Sequence, residues 1–207
     1  MSFTANSSLM LNQGAWMILG LNLFASLLGL YVFPKIIEQS LFRPYWLFRK
    51  KQYDSVYMSG FVHINLTHLL FNMVTFYFFA FPMERVLGTV KFIALYVVGL
   101  LCGQLGTWLK QHNNPEYASL GASGAISAVL LAYIVYFPTH SLHLLLIPVP
   151  IPAFVVAIAF LAYSWFASKK AGSKINHDAH LYGALSGLLY ILVIDHQAYR
   201  NLLEIVF

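Results

Sequence analysis

Six apolar runs, separated by polar or proline-containing segments, limit the possible folds of this 207-residue chain more than any other feature. A helix needs about 20 mostly apolar residues to cross the hydrocarbon core of a bilayer. Because backbone polar groups in lipid must be satisfied within each span, we predict an all-α membrane protein, a bundle of six transmembrane helices. The predicted spans are residues 14–33, 60–81, 91–109, 120–137, 152–167 and 177–194.

The composition agrees with a membrane protein. Only 9% of the residues are charged, whereas soluble domains have about 25%. We therefore predict a single polytopic membrane domain over residues 1–207. Residues 1–13 contain no Lys or Arg, so they lack the basic region of a signal peptide and the first run is expected to remain as a span. The basic residues lie mainly in loops, which is typical of membrane proteins, so the expected partner is a lipid bilayer and not nucleic acid.

Proline limits the fifth span. Pro148, Pro150 and Pro152 occupy alternate positions, which a helix interior does not tolerate because each removes a donor and clashes with the preceding turn. The fifth span is therefore expected to begin at about residue 152, where proline suits the first turn, and to be short. The following loop, residues 168–176, is rich in Gly, Ser and Lys and is expected to be flexible.

A serine and a histidine stand at the starts of two spans. Ser123 lies between Gly121 and Gly124 in the fourth, and His180 lies in the sixth. Alone, the glycines are consistent with close helix packing, and the imidazole with a buried hydrogen bond. Together, Ser123 and His180 fit a nucleophile and its general base.

Small residues follow the histidine on its own helix face. Gly183 and Gly187 lie three and seven residues after His180, so all three share a side of the helix. Glycines there permit a close approach to the helix of Ser123. The spacing therefore predicts an imidazole–hydroxyl hydrogen bond between the two spans.

The second span adds hydrogen-bond donors. His68 and Asn72 share a helix face, and His63 lies near the same end of the span. Donors aimed at one point could stabilise an oxyanion, although hydrogen bonds between helices explain them as well. A metal site at His63, His68 and His180 is a weaker hypothesis, because zinc sites commonly recruit a carboxylate or cysteine. We therefore expect no metal and no cofactor.

In this order and on these spans, the motifs resemble those of rhomboid intramembrane serine proteases. The resemblance covers roughly residues 55–190. Its motifs are Gly121-x-Ser123-Gly124, His63 followed by His68-x-x-x-Asn72, Glu84-x-x-x-Gly88, and Ala179-His180-x-x-Gly183-x-x-x-Gly187.

The resemblance implies a serine endopeptidase that cleaves transmembrane segments of membrane proteins. Ser123 would be the nucleophile and His180 the general base. His68, Asn72 and the backbone N–H of Ser123 would form the oxyanion site. No cofactor is implied.

Further roles follow from the resemblance. It implies a rhomboid-like core at about residues 55–195. His63 would have a structural or water-retaining role, and Glu84 would be a structural carboxylate at the membrane interface. The short fifth helix and the loop at residues 168–174 would be the gate and cap through which a substrate enters sideways.

Two positions depart from the family pattern. Asp54-Ser55 stands where the family often has Trp-Arg. Ser127 stands four residues after the nucleophile, where some members carry an aromatic ring that stacks on the catalytic histidine. Neither change removes a reacting group, but Ser127 leaves the orientation of His180 less well explained, since no obvious carboxylate completes a triad.

Two alternatives remain open. One is a non-catalytic relative, a membrane binding or quality-control protein with the same fold; loss of Ser123 or His180 would have favoured it, and both are present. The other is a small transporter with His68, Asn72 and His180 lining a path. It predicts activity that survives Ser123→Ala.

Two arguments disagree about which side of the membrane the site faces. The positive-inside rule places the more basic loops in the cytoplasm, and these are the loops on the side of Ser123 and His180. In bacterial members of the rhomboid family, which the sequence resembles, that side is extracytoplasmic. We follow the resemblance and predict a bacterial inner membrane location with an outward-facing site. The site side carries Lys35, Arg43, Arg49, Lys50, Lys51, Lys110, Lys169, Lys170 and Lys174; the opposite side carries Arg85, Lys91 and Arg200.

Overall fold

A computed structural model of the protein describes residues 12–144, 147–169 and 175–206. Helices account for most of these residues, and one β-hairpin interrupts them. The elements in chain order are α1 (Gln13–Tyr31), α2 (Lys35–Ser40), α3 (Trp46–Arg49), α4 (Ser55–Met58), α5 (Leu66–Leu87), α6 (Thr89–Gln111), α7 (Ser123–Tyr136), β1 (Ser141–Leu144), β2 (Ile147–Pro152), α8 (Ala153–Ala167), α9 (His177–Ile194) and α10 (His196–Val206).

The long apolar helices confirm the predicted fold class. Among the described helices, α1, α5, α6 and α9 are long and apolar enough to cross a membrane, whereas α7 and α8 are apolar but shorter. All six correspond to predicted spans. The chain is an all-α, multi-pass integral membrane protein.

The second span differs from its prediction at both ends. The predicted range was 60–81, but α5 begins at Leu66 because the side chain of Asn65 caps it, accepting a hydrogen bond from the backbone N–H of His68 at 2.8 Å. The helix also continues through Pro82 to its end at Leu87. The buried residues around the proline, which include Glu84, hold this last turn in the bundle.

The Glu84 carboxylate, predicted to follow the second span, lies within α5 and caps another helix. It accepts the backbone N–H groups of Gly14 and Ala15 at 2.9 and 2.7 Å, and the hydroxyl of Thr89 at 2.6 Å. Negative charge is favourable at a helix N-terminus, and α1 has no side-chain cap from its own Asn12. Glu84 therefore joins α1, α5 and α6 at the end of the bundle opposite Ser123.

The short helices α2, α3 and α4, the hairpin and the last helix were not predicted. The segment before α8 forms an antiparallel hairpin in which Ser141 pairs with Pro152 and Leu142 with Ile151, since alternate prolines are compatible with an extended strand. After α9, Asp195 starts the amphipathic helix α10 by accepting the N–H of Ala198 at 3.3 Å. Period-3.6 spacing of apolar residues in α10 was the available signal.

Helix α7 is the centre of the bundle. Each of its residues from 124 to 135 is buried. A Cβ atom added at Gly183 of α9 would collide with the backbone carbonyl of Gly124, and one added at Gly187 would collide with that of Ala128. The backbones of α7 and α9 are thus in direct contact, as small residues permit in membrane bundles.

Candidate active site

The nucleophile candidate, Ser123, is the half-buried first residue of α7. The two residues before it are fixed through their backbone. Gly121 has a φ of +120°, which favours glycine, and its N–H donates to the carbonyl of Ser59 at 2.8 Å. The N–H of Ala122 donates to Nε2 of His63 at 3.4 Å. The approach to Ser123 therefore has a defined backbone conformation.

The loop before α7 is also hydrogen-bonded to the segment between α1 and α5, residues 32–65. Phe42 and Ser119 exchange two backbone hydrogen bonds of 3.0 Å. Farther along, burial and the nearby Asp178 carboxylate raise the pKa of Tyr117 to about 12. Ser119 of this loop and Asn176 and Ala179 at the start of α9 line the same small cavity, so the loop lies next to α9.

The contacts of His63 define its tautomer. Nε2 accepts the N–H of Ala122, so the ring proton is on Nδ1 in the neutral imidazole. Nδ1 lies 3.0 Å from Oγ of Ser26, and that hydroxyl donates to the carbonyl of Phe61 at 3.2 Å. His63 thus connects α1 to the residue next to Ser123, an arrangement compatible with the structural role that the resemblance implied.

The oxyanion candidates, His68 and Asn72, lie in the first two turns of α5. A Cβ atom at Gly121 would stand 2.5 Å from Cε1 and 2.8 Å from Nε2 of His68, so the imidazole lies directly against this residue. The rings of His63 and His68 are 5.0 Å apart. Asn72 is buried one turn farther along α5 and donates one amide proton to the carbonyl of His68 at 2.9 Å. Its carboxamide has a second N–H available.

The base candidate, His180, lies in the first turn of α9, which Asn176 caps by accepting the N–H of Ala179 at 3.0 Å. The contact between Gly183 and Gly124 places this turn beside the start of α7. Ser123 and His180 are both among the described residues, and no hydrogen bond joins the hydroxyl of Ser123 to the imidazole of His180. Catalytic hydrogen bonds are often long before substrate binds.

Sequence reasoning missed the aromatic surroundings of His180. Its imidazole is stacked on the ring of Phe160 in α8, with centroids 6.1 Å apart and planes at 25°. His177 packs edge-on against it from the same helix at 5.9 Å, and Tyr163 of α8 packs edge-on against His177 at 5.3 Å. In the sequence, the rings of each pair are spaced i, i+3 on one helix, but this spacing does not indicate that the two pairs meet.

Ser127 does not contribute a ring to this cluster. Its hydroxyl donates to the carbonyl of Ser123 at 2.7 Å, one turn back along α7. Four residues after the nucleophile, the chain therefore has a small polar side chain bonded to its own helix.

A small cavity of about 10 Å³ lies beside Ser123 and is also lined by Gln104, Ser119 and Asn176. A space of about this size holds one water molecule. Gln104 donates to Oγ of Ser59 at 2.6 Å, while its side-chain oxygen is buried and has no hydrogen-bond partner among the described residues. Over the described ranges, no group of three His, Cys, Asp or Glu side chains is placed to hold a metal ion.

Comparison with known proteins identifies the family. The chain is 30% identical over 179 residues to the mitochondrial rhomboid protein 1 of Saccharomyces cerevisiae, an alignment that covers 84% of this chain and 51% of the yeast protein. It is 32% identical over 133 residues to the rhomboid protein YdcA of Bacillus subtilis, covering 62% of this chain and 60% of that protein. The chain spans about half the length of these relatives. A family model described as the Rhomboid domain matches residues 50–197, most of the chain, and the chain therefore belongs to the rhomboid family.

Proposed function

We propose that the protein is an intramembrane serine endopeptidase in which Ser123 and His180 form a catalytic dyad. The observation that carries the proposal is the contact of α7 with α9 at Gly124 and Gly183, which brings the first turns of the two helices together. Membership in the rhomboid family supports the same activity.

In the proposed reaction, Oγ of Ser123 attacks the scissile carbonyl while His180 removes the hydroxyl proton. The tetrahedral oxyanion accepts hydrogen bonds from His68, Asn72 and the backbone N–H of Ser123, which lies in a helix first turn without intrahelical partners. His180 then protonates the leaving amine. Water attacks the acyl-enzyme, His180 takes its proton, and the serine is regenerated.

The cavity beside Ser123 supports a supply of water to this reaction. It has room for about one molecule, and the side-chain oxygen of Gln104 on α6 is a buried acceptor that no described residue donates to. A hydrolase within a membrane needs such polar surroundings, because the hydrocarbon core contains almost no water.

Transmembrane segments of other proteins are the proposed substrates, entering sideways past α8. This helix has only 15 residues, and its buried residues are Ala153, Ala157, Ser164 and Ala167. Residues 168–169 of the predicted cap loop follow α8, while residues 170–174 lie outside the described residues. A short helix with few buried side chains costs less to displace than α7.

Loss of either dyad residue should abolish the activity. Ser123→Ala and His180→Ala are each expected to eliminate cleavage of a transmembrane reporter, and the double variant should be little worse, because residues acting as a unit are non-additive. The assay uses purified protein in liposomes. Substantial cleavage by Ser123→Ala protein would overturn the proposal, because the cleavage would then not depend on this serine.

We further propose a bacterial plasma membrane location in which the site faces away from the cytoplasm. The bacterial relative supports it, whereas the yeast relative bears a mitochondrial name. The test introduces Glu116→Cys on the site side, with Gln197→Cys in α10 as the opposite control, both in a Cys102→Ala background. An impermeant maleimide should label only Glu116→Cys in intact bacterial cells. If only Gln197→Cys is labelled, the topology is the opposite of the proposed one.

A further inference from the structure

We propose that Phe160 of α8 is the positioning residue for His180. The proposal rests on the proposed function, in which His180 is the general base. Its structural basis is the nearly parallel stack of the two rings, 6.1 Å between centroids and 25° between planes. Phe160 itself neither carries a proton nor contacts the reacting atoms.

The orientation of an imidazole is set by what surrounds its ring as well as by hydrogen bonds to its nitrogens. Within the described residues, neither ring nitrogen of His180 has a hydrogen-bonding partner, so no carboxylate or carbonyl fixes the plane of the ring. Aromatic contacts are therefore the constraints that the structure supplies. The two contacts differ in geometry, since the plane of Phe160 is nearly parallel to that of His180 and the plane of His177 is nearly perpendicular to it.

The four rings form one connected cluster between two helices. Phe160 and Tyr163 are separated by one turn of α8, and His177 and His180 by one turn of α9. Tyr163 packs edge-on against His177, and Phe160 stacks on His180. Each ring of α8 therefore contacts one ring of α9. Each aromatic contact of this kind contributes about 0.5–1.5 kcal/mol beyond burial, which is enough to favour one rotamer of the imidazole over its alternatives.

This arrangement explains how the site can function with a serine at position 127. The hydroxyl of Ser127 is bonded to the carbonyl of Ser123, so α7 offers no ring to the histidine. The stacking partner comes from α8. The orientation of the base consequently depends on the position of α8 relative to α9.

The test compares Phe160→Leu with Phe160→Tyr, which keeps the ring. Purified variants in detergent react with a small water-soluble fluorophosphonate, which requires an activated serine but no entry of a transmembrane segment. Phe160→Leu should lower the second-order labelling rate at least about 10-fold, because a misplaced catalytic group is costly. Phe160→Tyr should stay within about twofold. The matched control is Phe166→Leu, which removes a 65% exposed ring from the same helix and should leave the rate unchanged.

A transmembrane reporter provides the second measurement. Phe160→Leu should lower kcat while KM stays within about twofold, as expected when only the reacting geometry is disturbed. If labelling is unchanged and only reporter cleavage falls, Phe160 serves substrate entry and the proposal is overturned. If Phe160→Leu fails to fold, Phe160→Met, whose flexible chain fills irregular space, must show the same slow labelling. Failure of the wild type to label would instead refute the serine hydrolase function.

Discussion

The two halves of the candidate site are held in different ways. On the nucleophile side, the backbone N–H groups of Gly121 and Ala122 donate to the carbonyl of Ser59 and the imidazole of His63. Helix α7 is buried from Gly124 to Val135. On the base side, His180 is held by rings, and its stacking partner comes from the short and largely exposed helix α8.

The difference indicates where the site is rigid and where it can change. Backbone contacts between glycine-containing helices leave almost no room for adjustment, because nothing flexible separates them. A ring stack can be separated by a rotamer change or a small shift of one helix. We therefore expect the nucleophile to remain in place while the base side responds to changes in α8.

Removal of the oxyanion donors is expected to have the largest effect. Asn72→Ala and His68→Ala should each lower kcat about 10²–10³-fold, since losing one such donor costs about this much in a well-studied serine protease. KM should change much less, and the Asn72→Ala and His68→Ala proteins should both remain folded. The measurement is steady-state cleavage of a transmembrane reporter in liposomes. Unchanged kcat in both variants would make these residues helix-packing donors and remove them from the site.

Glycine at the contact between the two halves should be the next most sensitive position. Gly183→Ala places a Cβ atom against the Gly124 carbonyl, and such overpacking should lower the free energy of unfolding by about 3 kcal/mol. Gly20→Ala in α1 is the matched control, because nothing lies within 4 Å of its added Cβ atom. It should change stability by less than about 1 kcal/mol. Unfolding in mixed micelles, followed by circular dichroism, measures both; equal stabilities would contradict the tight contact.

An isoleucine-to-alanine substitution in α7 or α8 should have the smallest effect of the three. The loss in the free energy of unfolding should be larger in α7 than in α8. Ile134 is 4% exposed in α7, and Ile158 is 65% exposed in α8. Ile134→Ala should destabilise by about 2 kcal/mol through lost packing, and Ile158→Ala by less than about 0.5 kcal/mol. The same unfolding assay applies. If Ile158→Ala lowers the free energy of unfolding as much as Ile134→Ala does, α8 is as firmly packed as α7.

The sequence predicted the structure best at glycines, whose lack of a side chain allows close contact between helices. Gly183 and Gly187 predicted the approach of two helices, and both lie at backbone contacts. Apolar runs predicted the spans, but the caps that set the helix starts, such as Asn65, depend on single hydrogen bonds. Apolar periodicity does not detect such bonds, so the second span was placed six residues too early.

Phe160 illustrates what sequence could not provide. In an apolar helix, one phenylalanine among several has no property that marks it as a neighbour of a histidine 20 residues later. The pairing depends on the rotation of α8 about its axis and on its approach to α9, which are set by tertiary packing. Ser127 indicated that a stacking ring was missing from α7, but it did not indicate which helix supplies one.

The most direct test of the central claim is to identify the residue that an active-site reagent modifies. Detergent-solubilised protein is treated with a fluorophosphonate, digested and analysed by tandem mass spectrometry. The proposed dyad predicts a single modified residue, Ser123, and loss of the modification in His180→Ala protein. Modification of a different residue, or modification of Ser123 that is as fast without the His180 imidazole, would contradict the account.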